Sequence, residues 1–341
     1  MKMLRIAVAA AAIGLLWGWP VWAGDYKSEY KLSVVLGKPV SFGVIAEDWA
    51  NAVRERTAGR INIQVYPNAM LVGGDQTREF SALREGVIDM ALGAGISWSP
   101  QVKEFNVFSL PFLISSNEAA DAVVSGPAGD YVFDRLRRLG VEPLAWGDSG
   151  FRIIANSRHP IRAPEDLKGL KIRAVGSPLF TDLYAALGAN PTQMSTADMQ
   201  PALATGAVDG ADQSVEGFNL LKLVTLRQKY LTLLNYCWEP VVFAVNKEVW
   251  DSWTPADQEV VRATAVELGS RMRELKRKGL TQQDDSLLKE IEASGVDVAI
   301  LTSEERQRFR DATRPIFDKW AAKLDPRLVE MVETSAGYTG N

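Results

Sequence analysis

The phrase Ala-Leu-x-x-Gly-x-x-Asp occurs twice in this chain, as "ALREGVID" from Ala82 and as "ALATGAVD" from Ala202. Each copy opens on helix formers and reaches a glycine able to take φ > 0. It then passes through small or aliphatic residues to an aspartate. The phrase reads as a short helix ending directly in a buried strand. Two α/β halves of similar construction would produce it twice. A common helix stop repeated by coincidence is the competing reading.

The flanking segments fit two such halves. "YKLSVVL" (30–36) and "INIQVY" (61–66) are rich in β-branched residues and read as strands. Between them Phe42 to Thr57 carries apolar residues at helical spacing, with Ser41 as N-cap. "GGDQTREFSALREG" reads as a glycine turn and a helix, and "VIDMAL" as the next strand. This strand–helix alternation implies right-handed crossovers and largely parallel strands. A second series follows: strands "VEPLAWG", "FRIIAN" and "GLKIRAV", a helix over 179–187, a helix capped by Ser195 or Thr196, and strand "AVDGAD". Beyond residue 227, "KYLTLLNYCWEPVVFAVN" is long enough for two strands. Strong helix formers then run from Pro255 to about Ala293, interrupted by Gly269 and Gly279, and Thr302 or Ser303 with Glu305 opens one more helix. Long elements that return over both halves predict a hinge, and clefts between such halves hold small ligands.

The first 23 residues stand apart. Lys2 and Arg5 precede an apolar run over 6–17, and Val21-Trp22-Ala23 offers a small-x-small cleavage site. This reads as a secretory signal peptide rather than a membrane span. Without it the formal charge moves from −4 to about −6, which disfavours nucleic acid as a partner. Cys237 is the single cysteine, so no internal disulfide can form, and export without disulfides suits a bacterial periplasm.

Catalytic machinery is scarce. The lone His159 sits before Pro160 in a polar turn, where it reads as incidental. "GDSGF" has the wrong spacing for a nucleophile elbow, "GAGISW" falls short of a dinucleotide fingerprint, and no His/Cys cluster suits zinc. These readings favour a binding protein with no cofactor and no metal. Two arginines stand out instead, Arg152 in "GFRIIAN" and Arg173 in "LKIRAVG", each in an expected strand among apolar neighbours. A buried Arg keeps its charge and needs an anion: a ligand carboxylate, or an internal Asp or Glu.

"APEDLKGLKIRA", followed by "GANPTQMSTADMQPALATGAVDGADQS", resembles the signature of the DctP-like solute receptors of TRAP (tripartite ATP-independent periplasmic) transporters. "VGGDQTREFSALREGVIDMAL" and "FSLPFLI" extend the resemblance over essentially the whole mature chain. It implies an α/β, two-lobed periplasmic-binding-protein fold, with a hinge, central mixed sheets flanked by helices, and a long helix crossing both lobes. Residues 24–149 with about 239–278 would form lobe I, and 150–238 with about 279–341 lobe II. The family's carboxylate-binding arginine falls on Arg173, and a second that often joins it on Arg152. Where the family commonly has Gly-Gln-Glu-Asn, this chain has "GADQS", so Gln213 replaces the ligand-reaching Asn and Asp212 replaces the Glu. A first-lobe loop nominates Ser97 and Trp98, and "NYCWEP" nominates Tyr236, Trp238 and Glu239.

The implied function is a periplasmic, monomeric receptor that closes on a small organic acid and delivers it to TRAP membrane subunits. With Trp98, Trp238 and Tyr236 as pocket walls and no Lys or Arg in those first-lobe segments, a monocarboxylate with a cyclic or apolar body is expected. C4-dicarboxylates or keto acids are the alternative within the family. Outside it, a periplasmic enzyme of acidic substrates and an ABC-type or ligand-sensing receptor remain as rivals.

Overall fold

The computed structural model describes residues 26–339, so the expected signal peptide lies outside the described residues. Among the described residues there are ten strands: β1 (Tyr30–Val34), β2 (Ile63–Tyr66), β3 (Met90–Ala94), β4 (Val141–Asn156), β5 (Lys171–Ala174), β6 (Asn190–Gln193), β7 (Gly210–Ser214), β8 (Tyr230–Leu233), β9 (Trp238–Asn246) and β10 (Asp297–Ile300). They follow the order β2-β1-β3-β9-β4-β7-β5-β6, with β8 and β10 attached beside β4.

The two ends of that order repeat one another. In lobe I, β2, β1 and β3 are parallel and β9 is antiparallel to β3. In lobe II, β6, β5 and β7 are parallel and β4 is antiparallel to β7. The repeated phrase occupies the same place in each. Gly86 and Gly206 both end their helices at positive φ, 72° and 77°. Asp89 N–H donates to Lys31 O (3.1 Å) while its carboxylate accepts from Lys31 N–H (2.8 Å). Asp209 does the same with Lys171, at 2.7 and 2.9 Å. Each aspartate therefore ties the start of one strand to the start of its parallel neighbour. The returning antiparallel strand closes on it as well, through Asn246 N–H to Asp89 O and Ser157 N–H to Asp209 O. The repeat is thus structural, and coincidence does not explain it.

Residues 141–156, expected as two strands, form the single strand β4. Its first part pairs with β9, and its last five residues pair with β7. Register shifts at Pro143/Ala145 and Asp148/Gly150 bend it between the lobes. Gly150 has φ 84°, and its N–H donates to Asp148 Oδ1 at 2.6 Å. The "GDSG" run between the two expected strands is therefore a bend inside a continuous strand.

Ser41, expected as an N-cap, is instead the first residue of helix Ser41–Arg56, and its side chain makes no cap bond. Its N–H and hydroxyl donate to Glu216 of lobe II. The helix Pro255–Arg277 runs straight through Gly269, roughly 34 Å in all. A Cβ at Gly269 would lie 2.4 Å from Trp146 O, so glycine here lets the helix lie close on β4. The last turn brings Lys276 to Glu216 across the lobes. Ser195 caps helix Thr196–Thr205, and Thr302 with Glu305 forms a capping box on helix Ser303–Ala321. That helix packs on Pro178–Ala186 of lobe II, with Trp320 Nε1 donating to Asp182. The final helix, Pro326–Ala336, expected within lobe II, packs on Asn117–Ser125 and Pro127–Arg138 of lobe I. The chain thus crosses between the lobes four times among the described residues: at β4, at the start of β9, after the helix Pro255–Arg277, and before the final helix.

The paired aspartates should be interchangeable in weight. Asp89→Ala and Asp209→Ala should each lower stability by about 1.5–3 kcal/mol, the worth of charge-assisted hydrogen bonds. Urea unfolding measures both. A loss at one site with none at the other would break the structural equivalence.

Candidate functional site

Between the lobes lies a small, partly open cavity with about 30 Å³ available to the centres of water-sized molecules, room for roughly two or three waters. Lobe I contributes Val35, Leu36, Phe42, Gln76 and Ala94; the crossing strands contribute Ser149, Arg152 and Glu239; lobe II contributes Arg173, Val175, Thr196 and Gln213.

Arg173 sits on β5 and is 1 % exposed. Nε donates to Met194 O (3.1 Å), Nη1 to Asp212 O (3.3 Å) and Nη2 to Thr196 Oγ1 (3.3 Å). These acceptors are all neutral, and one N–H on each Nη is left over. Burial, together with the nearby Arg152 charge, pushes its pKa down to about 10. At neutral pH the guanidinium is therefore charged, desolvated and without a carboxylate partner among the described residues. A ligand carboxylate fits the two remaining donors.

Arg152 is in the opposite condition. Its Nε donates to Asp212 Oδ1 (2.6 Å), Nη2 also meets that oxygen, and Nη1 donates to Glu239 Oε2 (3.1 Å). Burial alone would lower its pKa, but Asp212 and Glu239 outweigh burial and raise it. Asp212 Oδ2 accepts from Tyr184 OH (2.7 Å) and from Tyr236 OH. Both oxygens of Asp212 are occupied by protein, so this side chain holds Arg152 rather than facing a ligand. Burial first, and then the Asp212 charge, push the Tyr184 and Tyr236 hydroxyls well up, keeping them protonated donors.

The nominated aromatics do not wall the cavity. Trp98 is fully buried between Phe80 and Phe105, and its Nε1 donates to Glu79 Oε2 (3.1 Å). Trp238 packs edge-on to Phe108 and donates to Asp148 Oδ1 (2.7 Å). Tyr236 lies outside β9, after Asn235 at φ 46°, and turns to Asp212. Each has a polar handle aimed at an internal acceptor, which a core aromatic needs when water is excluded. Ser97 stands just behind the cavity, accepting from Gln76 Nε2 (2.8 Å).

Gln213 does line the cavity. Its Oε1 accepts from Ser214 N–H (3.0 Å), and no described acceptor bonds its amide NH₂. Residues the sequence reading passed over complete the wall. Gln76 Oε1 accepts from Thr196 Oγ1 at 2.9 Å across the cleft, so Ser97, Gln76, Thr196 and Arg173 form one polar chain from lobe I to the Arg173 guanidinium. Ser99 and Ser177 hydroxyls meet at 3.1 Å on the same interface. Only their position marks Val35, Leu36 and Phe42, since their types suit any core. Among the described residues no group of three or more His, Cys, Asp or Glu side chains is arranged to hold a metal.

Residues 38–324 match the family described as "Bacterial extracellular solute-binding protein, family 7". The chain is 28% identical over 269 residues to the 2,3-diketo-L-gulonate-binding periplasmic protein YiaO of Escherichia coli, covering 79% of each chain. It is 27% identical to the C4-dicarboxylate-binding periplasmic protein DctP of Rhodobacter capsulatus, covering 98% of each. A TRAP periplasmic solute-binding protein of Ralstonia eutropha H16, solved with bound (S)-2-hydroxy-2-methyl-3-oxobutanoate, superposes with a TM-score of 0.90 at 52% identity, over 92% of this chain and 99% of that one. The galactonate complex of a sugar acid binding protein from Advenella mimigardefordensis gives 0.84 at 28% identity, over 91% and 97%. The chain belongs to the family 7 extracytoplasmic solute receptors of TRAP transport, a family that binds small organic acids.

The Trp98–Glu79 contact carries a pH dependence. Burial pushes Glu79 from 4.5 up to about 7, against the donors Ser33 and Trp98. A carboxyl with a raised folded pKa favours the folded state most below pH 4.5. That advantage is lost as the pH rises to about 7. Glu79→Gln should abolish this slope and stabilise the protein above pH 7 by an amount on the order of 3 kcal/mol. Thermal melts from pH 4.5 to 8 measure it, and parallel curves for parent and variant would refute it.

Proposed function

We propose that this receptor captures a compact monocarboxylate in the periplasm and hands it to TRAP membrane subunits. The observation that carries the reading is Arg173: a buried, charged guanidinium that lines the interlobe cavity and has two N–H groups left over. Arg152 supports the site indirectly, because Asp212 and Glu239 already neutralise it. A second ligand carboxylate would meet Glu239 and no further unpaired cation among the described lining residues, which argues against dicarboxylates. The cyclic or aromatic body expected from Trp98, Trp238 and Tyr236 loses its basis, since all three are core residues. The small cavity and the aliphatic wall of Val35, Leu36 and Val175 favour a short, branched acid. The 2-hydroxy-2-methyl-3-oxobutanoate bound by the Ralstonia protein is of this class.

The same reading makes the protein a monomeric receptor rather than an enzyme. Ser149 is a cavity hydroxyl with no described base bonded to it. A ligand recovered unchanged after prolonged incubation would support a receptor, and a chemically altered one an enzyme. The lobes would be 24–149 with about 239–278, and 150–238 with about 279–325. The last helix returns to lobe I.

Arg173→Met should weaken binding at least about a hundredfold, as two charge-assisted contacts are lost. Arg173→Lys should also bind poorly, because an ammonium cannot replace the fork. Calorimetry against short hydroxy and oxo acids tests both, and a variant within twofold of the parent would remove Arg173 from the site.

Closure has its own test. A Cβ on Gly176 would lie 2.6 Å from Thr77 Cγ2, across the mouth of the cleft. Gly176→Trp, too large for a turn of the Thr77 side chain to relieve, should therefore hold the lobes apart and weaken binding at least about tenfold, with every cavity side chain intact. Small-angle scattering should show the liganded variant more open than the liganded parent. Identical profiles and affinities would show that the lobes need not approach this closely.

A further inference from the structure

We infer that Glu239 selects for a hydroxyl donor on the ligand, so that the receptor takes a hydroxy acid ahead of the oxo and deoxy acids of the same skeleton. The inference rests on Arg173 as the carboxylate anchor and concerns the other end of the cavity.

Glu239 is the second residue of β9, 4 % exposed, and lines the cavity. Its partner Arg152 reaches only Oε2, at 3.1 Å. No described donor bonds to Oε1, although the side chain is buried on every side but the cavity. The residue paired with it across the strands is Gly150, which has no side chain to supply one. Ser149, the hydroxyl beside it on β4, makes no bond to it among the described residues.

An ionised carboxylate can only accept. A desolvated acceptor left without a donor costs far more than a formed bond returns. The cavity therefore offers a fixed pattern: donors from Arg173, a donor from the Gln213 NH₂, and a lone acceptor from Glu239. The complement is a carboxylate, an acceptor oxygen and one hydroxyl. An oxo acid would set lone pairs against Glu239 Oε1. A deoxy acid would bury Oε1 against carbon. Sites built to bond a hydroxyl reject analogues that lack it more strongly than apolar pockets reject a missing methylene.

Three acids share one branched five-carbon skeleton: 2-hydroxy-3-methylbutanoate, 3-methyl-2-oxobutanoate and 3-methylbutanoate. Calorimetry on the parent at neutral pH should give the better enantiomer of the hydroxy acid about 10- to 100-fold tighter binding than either analogue. In Glu239→Gln the amide can donate to a carbonyl, so the preference over the oxo acid should vanish or reverse, while a melting temperature near the parent's reports an intact fold. Equal or tighter binding of the oxo acid by the parent would overturn the inference, as would a variant that keeps the parent's ratio. Those results leave Arg173 untouched as anchor. If the parent binds none of the three, or Arg173→Met binds them as the parent does, the anchor falls and the inference with it.

Discussion

The ion pair between Arg152 and Asp212 is the interaction on which the site depends. It joins β4 to β7 at the point where β4 leaves one lobe for the other, and Glu239 extends it to β9. A buried pair of this kind is worth little as net stability, because desolvating both charges offsets most of their attraction. Its value lies in what it withholds. By neutralising Arg152 and occupying both oxygens of Asp212, with Tyr184 and Tyr236 closing the shell, it leaves Arg173 without a carboxylate partner among the described residues. The fold thus holds a charge beside a small interlobe cavity into which a carboxylate fits.

The two lobes divide recognition between them. Lobe II and the crossing strands carry the charged and amide groups, while lobe I supplies Val35, Leu36, Phe42 and Ala94 with one polar reader, Gln76. Phe42 follows Ser41, which is bonded to Glu216 of lobe II, and Lys276 lies over the Phe42 ring at 5.2 Å while pairing with that same Glu216. The apolar wall is therefore placed by interlobe contacts, and its shape belongs to the closed protein.

Much of this could be read in the sequence, and the failures share a cause. The repeated phrase, the cap at Ser195 and the capping box at Thr302 are local, so their chemistry is visible in a few adjacent residues. Arg173 was legible because an arginine among strand residues demands a partner. Arg152 looked the same from its neighbours; only the register that brings Asp212 beside it separates the two. The single strand β4 was hidden by the polar "GDSG" run that parts its two apolar halves, because the bulge and the partner β9 are not visible in the sequence. Trp98, Trp238 and Tyr236 were misplaced because strands and loops buried on both faces give no alternation to say which side meets a cavity. Val35, Leu36 and Phe42 were missed for the reverse reason: a cavity wall and a core use the same residue types.

The polar chain from Ser97 through Gln76 and Thr196 to Arg173 has a kinetic consequence. The Arg173 guanidinium, proposed as the ligand's anchor, is also bonded to the hydroxyl that latches the lobes. A bound carboxylate fixes Arg173, which fixes Thr196, which holds Gln76 on the opposite lobe. Opening must then disturb the anchor's own hydrogen bonds, so escape of the ligand and parting of the lobes become one event with one barrier. Residence time, more than capture rate, is set by that barrier, and a membrane partner that pulls Gln76 from Thr196 would loosen the ligand without touching it.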